Sequence, residues 1–308
     1  MTPETADISA ATSSSPAFQT SSPAVSIMSA GPTAWREAGA VRLLNSPALA
    51  AAGVDAAVTA RSGGVSSGPY DSLNLSFSVG DDPAHVLENR RRLATSFGAG
   101  RNDFVFAGQV HGAGVRVVGA ADRGSGAFCL DDVIGDTDAL VTSSPEVVLA
   151  ILTADCVPIV LHDPVARVLA CVHAGWRGTV AGVTQAAIAA MQALGSRPGD
   201  VIAGLGPAIA AARYQVGPDV YQGITQAFGS AAATFIRPDS VPDRWRLDLW
   251  AANHLALRTA GVPAAQIQVT DIPTGPDAAG PGYFFSDRSA RPCGRLALVA
   301  RLRTGGER

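Results

Sequence analysis

Cys156 and His173 lie in two apolar runs separated by a turn signal, in the stretch ILTADCVPIVLHDPVARVLACVHAGWRG from Ile151 to Gly178. A thiolate and an imidazole can share a metal ion, or form a nucleophile–base pair. LHDPVAR reads as the turn of an antiparallel hairpin. A hairpin centred between Pro164 and Val165 sets Cys156 directly opposite His173 on one face. Opposed Cβ atoms are about 4.5–5.5 Å apart, close enough for a common metal. Pro158 within the first run argues for an edge strand or a bulge, and a bulge would shift that register. Cys171 shares the face of His173 and competes as a ligand, although a buried free cysteine acting as a small hydrophobe is the plainer reading.

A third ligand is expected from His111 in GQVHGAG, where glycines flank the end of a strand pattern. Gln109 lies two residues back on the same face. His85 falls in an exposed first helical turn, His162 at the hairpin turn and His254 within a helix, and these three read as solvated or locally bonded. One cysteine and two histidines suit Zn²⁺ with a fourth position open for water or substrate. Structural zinc sites usually close with four protein ligands, so three imply catalysis.

The elements that must position these residues follow from pattern and composition. The chain has 308 residues, with 47% hydrophobic and 16% charged, which is globular and large enough for a sizeable core. The net charge of -3 points to neither nucleic acid nor an anionic membrane as a partner. All 23 basic residues are arginine. Without lysine, Schiff-base chemistry and a Walker-type P-loop are both excluded. Four dispersed cysteines with no CxxC pair suggest a reducing, cytoplasmic setting. The longest apolar run, Val147 to Leu161, is too short to span a membrane and contains Asp155. No secretory leader pattern opens the sequence.

Residues 1–37, rich in Ser, Thr, Ala and Pro, are expected to be a disordered extension. Residues 38–308 read as one mixed α/β domain. DAAVTA, VIAGLGP, QIQVTDI and GRLALVARL are strand patterns, and FVFAGQVHGAGVRVV reads as strands around a Gly-rich turn. Helices are expected over DDPAHVLENRRRLATSFG, TVAGVTQAAIAAMQALG, GPDVYQGITQAFG and LDLWAANHLALRTAGV.

The segments RSGGVSSGPYDSLNL, GQVHG, TADCVPIVLHDP, VHAGWRGTVAGV and DLWAANHLAL resemble the laccase-domain family, from about Arg61 to the C-terminus. Its members were first described as polyphenol oxidases and later as zinc-dependent purine nucleoside phosphorylases, and some act as peptidoglycan-editing factors. The resemblance implies a mixed α/β sandwich and metal ligands at His111, Cys156 and His173. It also implies phosphorolysis of adenosine, inosine, guanosine or methylthioadenosine, and adenosine deamination. The sequence departs from the family pattern at Ala208, where a cysteine is common, at Gln215, where a glutamate is common, and at Asp287, where an aromatic residue is frequent. A cysteine usually precedes Thr274 and is absent here.

Phosphorolysis needs permanent cations for phosphate, and Arg177 and Arg61 are the candidates. The Gly175–Gly178 turn, opening a helix, adds backbone N–H groups. Deamination needs a hydroxide, which Zn²⁺ supplies by lowering the pKa of its water to about 7, and a carboxylate to shuttle the proton. Asp155 is the carboxylate candidate, although a regular strand would point it away from Cys156. Gln109 and Asn74 are candidates for hydrogen bonds to substrate. Trp176, Trp250, Phe284 and Phe285 read as core.

Three rival functions stay open. Cys156 and His173 would also suit a cysteine hydrolase or amidase, in line with peptidoglycan editing. A copper phenol oxidase would need more imidazoles than five histidines supply, so copper is expected only as an adventitious ion in the zinc site. The last rival is a non-enzymatic metal-binding protein.

Overall fold

The computed structural model describes residues 33–276 and 282–304. Strands β1 (Ala34–Ala38), β2 (Val41–Asn45) and β3 (Val54–Thr59), with the short helix α1 (Pro47–Ala51), begin the fold. Helix α2 (Pro83–Phe97) is capped by the Asp82 carboxylate accepting from Ala84 N and ends at Gly98, where φ is 67°. Next come β4 (Phe104–Phe106), β5 (Val115–Val117), β6 (Ala139–Thr142), β7 (Val148–Thr153), β8 (Val157–Asp163) and β9 (Val168–Ala174). Helices α3 (Trp176–Ala181) and α4 (Val183–Ala193) lead to β10 (Ile202–Leu205). The chain continues through β11 (Gln215–Val216), α5 (Pro218–Phe228), β12 (Ile236–Pro238) and β13 (Trp245–Leu247). It closes with α6 (Leu249–Thr259), β14 (Ile267–Val269) and β15 (Leu296–Leu302).

Two six-stranded mixed sheets pack face to face, in the orders β1-β2-β3-β15-β7-β4 and β14-β10-β8-β9-β6-β5, beside a small sheet β11-β13-β12. Leu44, Val58, Ile151 and Leu298 of the first sheet meet Val160, Leu169 and Cys171 of the second. The outer face of the second sheet, with Val157, Ile159 and Val172, packs on Ile188, Met191, Ile224 and Leu257 of the helices. The outer face of the first, with Leu43, Ala150 and Val299, is covered by Leu93 and Phe97 of α2. The result is the expected α/β sandwich. No helix among the described residues is long and apolar enough to cross a membrane.

Several expectations are corrected. β1 begins at Ala34, so the boundary drawn at residue 37 falls inside a strand. Residues 1–32 lie outside the described residues. The helix expected from Thr179 to Gly195 is two helices that break at Gly182, whose φ of 81° cannot continue a right-handed helix. The strands expected around the Gly-rich turn at His111 fall in different sheets, β4 in the first and β5 in the second.

The register of the central hairpin is also moved by two, with Pro158 rather than Cys156 opposite His173. A two-residue shift keeps every side chain on its expected face. Pro158 needs neither an edge nor a bulge. Its carbonyl accepts from Gly206 N at 2.8 Å. The Gly206 carbonyl, which the missing proline N–H leaves free, accepts instead from Trp250 Nε1 at 2.8 Å. His162 lies in β8 rather than at a turn, buried between the carbonyls of Val168 and Ala52 at 3.1 and 3.0 Å.

Candidate metal centre

The chain crosses between the two sheets twice beside β9. One crossover, between β4 and β5, carries His111, and the other, between β7 and β8, carries Cys156. Gln109 ties them together. Its amide donates to Leu152 O at 2.6 Å and accepts from Leu152 N at 2.7 Å, as a neighbouring strand would. Backbone kinks aim the loops, with φ of 61° at His111 and 91° at Asp155. Asp and His are among the few side chains that tolerate this region.

The outcome is one cluster. A ligand atom from each of His111, Cys156 and His173 lies within 4.8 Å of the others. The two imidazoles meet edge to face, with centroids 4.7 Å apart. Cys171, by contrast, is buried between the sheets, and burial pushes its thiol up. It is not a ligand candidate.

Asp138 organises the cluster. It is fully buried at the start of β6. Its Oδ1 accepts from His111 N at 3.0 Å and His173 Nδ1 at 2.8 Å. Its Oδ2 accepts from Val110 N at 3.2 Å and Gly112 N at 2.7 Å. Burial alone would raise this carboxyl, but His173 and the backbone N–H groups hold it below its ordinary range. Fixing the proton on His173 Nδ1 leaves Nε2 as the coordinating atom. Sequence reasoning missed Asp138 because GDTDALVT carries no ligand spacing. Its one signal is an acid opening an apolar strand.

Cys156 is partly exposed. Burial opposes its ionisation, yet the charge of His173 and hydrogen bonds from His111 and His173 outweigh this and bring the thiol down to about 6. His173 moves the opposite way. Burial lowers it, but the Cys156 thiolate and Asp138 prevail and raise it. The pair is therefore charged at neutral pH, and its thiolate is ready for a metal or an electrophile.

Gly175 makes room for the cluster. A Cβ there would stand 2.8 Å from Cys156 Sγ and 3.1 Å from His111 Cδ2. Its φ of -76° and ψ of 171° suit any residue, so the glycine is required for space alone. Gly175→Ala is expected to displace the thiolate, weaken metal binding roughly tenfold or more and barely change the unfolding midpoint. Chelator competition alongside thermal melting checks this.

The cluster opens into a cleft of about 740 Å³, whose wall includes Arg90, Arg177, Tyr214, Arg288, Arg291 and Arg295. Such a volume suits a small organic ligand. Arg177 stacks over Trp176 at 4.4 Å and makes no hydrogen bond or ion pair among the described residues. Asp155 also lines the cleft, but its oxygens accept from Thr274 Oγ1 at 2.6 Å and Arg288 N at 2.7 Å.

Arg61 and Asn74 are not part of the cleft wall. Arg61 holds the Asp71 carbonyl and stacks on Phe285. Asn74 spends its amide on Ser76, Asp81 and Arg295 N. Both hold the Gly/Ser-rich loop together. Of the positions that depart from the family pattern, Asp287 alone reaches the cleft, paired with Arg291 and Arg295. Ala208 is core, and Gln215 bonds Asp239 at 3.0 Å.

Residues 55–303 match the family described as multi-copper polyphenol oxidoreductase laccase. The chain belongs to that family. This laccase-family chain is 44% identical over 220 residues to a purine nucleoside phosphorylase of Deinococcus radiodurans, covering 71% of this chain and 79% of the relative. It is 38% identical over 253 residues to the purine nucleoside phosphorylase YlmD of Geobacillus stearothermophilus, covering 81% and 91%. The crystal structure of YlmD from Geobacillus stearothermophilus superposes with a TM-score of 0.82 at 34% identity, over 89% of this chain and all of that one.

Proposed function

We propose that this laccase-family chain is a zinc-dependent purine nucleoside phosphorylase acting on adenosine, inosine, guanosine or methylthioadenosine, with adenosine deamination as an accompanying activity. The observation that carries this reading is the His111–Cys156–His173 cluster, oriented by Asp138, at the base of a cleft with unpaired guanidinium groups. The relatives named above as purine nucleoside phosphorylases supply the reaction class. The donor set fits zinc, with one anionic sulfur, two imidazoles and an open fourth position. Zinc held there would supply Lewis acidity toward an oxygen of either substrate.

The chain's own residues do the rest. A phosphate oxygen forms a bond to the anomeric carbon of the ribose as the bond from that carbon to the purine nitrogen breaks, and the electron pair leaves with the purine. Arg177, permanently charged and uncommitted, holds the phosphate. Asp155, both oxygens occupied, positions Cys156 and Arg288. Gln109 keeps the two ligand-bearing crossovers in register. A multicopper oxidase would need more imidazoles than the two in this cluster, so copper here would be a substitute for zinc.

A cysteine hydrolase is the second reading, favoured by the thiol brought down to about 6. Protein purified without added metal separates the two. About one zinc per chain, with inosine converted to hypoxanthine and ribose 1-phosphate only in phosphate buffer, is expected. Metal-free protein without nucleoside turnover, whose Cys156 alkylates with a midpoint near pH 6 and fastest above it, would overturn the phosphorylase in favour of the hydrolase.

A further inference from the structure

The cleft holds a residue that neither the spacing argument nor the ligand cluster picked out. Tyr214 lines the wall next to the cluster, ahead of β11. Its ring packs against the helix-side core, while its hydroxyl makes no hydrogen bond among the described residues. Here the surroundings are ionic: Cys156, Asp155, Arg288 and Arg177 line the same cleft and are all close enough to act on the phenol electrostatically. Burial and the thiolate push its ionisation up, so it is a neutral donor at any physiological pH.

Arg288 stands over the ring, its guanidinium carbon 5.1 Å from the centroid. Asp155 anchors its backbone at 2.7 Å, and its Nη1 donates to Gln215 O at 2.8 Å. Its remaining N–H groups have no partner among the described residues. Two guanidinium groups with free donors and one free hydroxyl therefore line the same cleft, with Arg288 directly over the Tyr214 ring.

We propose that Tyr214, Arg288 and Arg177 form the subsite for the attacking phosphate, with the Tyr214 hydroxyl donating to a phosphate oxygen. This rests on the phosphorylase reading and names the anion's seat within it. A neutral hydroxyl adds a charge-assisted hydrogen bond to an anion held by the two guanidinium groups. Arg291 and Arg295 line the same cleft but are paired with Asp287, which leaves them less free to bind an anion.

The test is Tyr214→Phe, which removes one oxygen and keeps the ring. Direct titration of the zinc-loaded protein with inorganic phosphate, without nucleoside, is run alongside steady-state kinetics. Expected are a phosphate affinity roughly ten- to hundredfold weaker and a KM for phosphate raised to match, as for a lost hydrogen bond to a charged group. Zinc content and the KM for inosine should stay near wild type. Arg288→Gln should weaken phosphate in the same direction. An unchanged phosphate affinity in Tyr214→Phe, or a loss confined to the KM for inosine, overturns the assignment. Wild-type protein that binds phosphate through Tyr214 but turns over no nucleoside would sink the phosphorylase reading and leave the anion site standing.

Discussion

Cys156→Ala is expected to remove the bound metal and to lower phosphate-dependent nucleoside turnover by roughly a thousandfold, the effect of losing several kcal/mol of Lewis-acid stabilisation. The sulfur is the one anionic ligand of the cluster, and alanine leaves two imidazoles whose ligand atoms lie within 4.8 Å of each other. Two neutral ligands do not hold zinc against water and buffer. Cys171 cannot stand in, because it is fully buried between the sheets. Folding should survive. Cys156 is partly exposed in a crossover, and the strands on either side of it keep their pairing. Elemental analysis, turnover and a thermal melt on one preparation give all three answers. Full metal occupancy in the variant would mean the ligand set is wrong. Metal loss with undiminished turnover would separate the cluster from the chemistry.

Asp138→Asn is expected to cost roughly 3–5 kcal/mol of stability and to weaken metal binding about 10- to 100-fold, though Asp138 has no need to touch the metal. Its two oxygens receive four donors, two on each. An amide in either orientation turns an NH₂ toward two of them, and each unmet buried donor costs about 1–3 kcal/mol. The loop of Val110, His111 and Gly112 then loses its anchor, and His173 loses the acceptor that fixes its tautomer. The pH dependence follows in sign. A carboxyl held below its ordinary value of 3.8 contributes stability that is fully present above that value and lost as the pH falls below it. The wild type should lose this stability on acidification and the variant should lack that limb. Urea midpoints at neutral and acid pH, with chelator competition, measure both effects. A variant within about 1 kcal/mol of wild type at neutral pH would show that the four hydrogen bonds carry little.

Both variants probe one architectural fact, that the site lies where two crossovers and the end of β9 come together. Cys156 and His173 were legible because they flank one turn, and period-two alternation put them on one face. The true register differs by two residues, which the pattern could not reveal, since such a shift preserves every face. His111 was nominated by its glycines and by resemblance. Its partners in space are Cys156, some 45 residues further on, and His173, in β9, some 62 residues further on, and only the packed sheets bring them together.

Local chemistry fixed most elements without the tertiary structure. Asp82, Pro83 and Gly98 bound α2, and Asp248 caps α6 by accepting from Ala251 N. These signals are legible because each depends on residues within one turn of the chain. The division of strands between sheets was not legible, as β4 and β5 on either side of the Gly-rich turn illustrate. Nor were the roles of the polar residues around the site. Gln109 serves as a strand surrogate, Asn74 and Arg61 as loop supports, Asp155 as an anchor for Arg288 and Asp138 as the orienter of His173. The sequence by itself determined which atoms could bind a metal. Tertiary structure decided which polar groups are committed and which stay free, because a hydrogen bond between distant segments leaves no period or spacing in the chain.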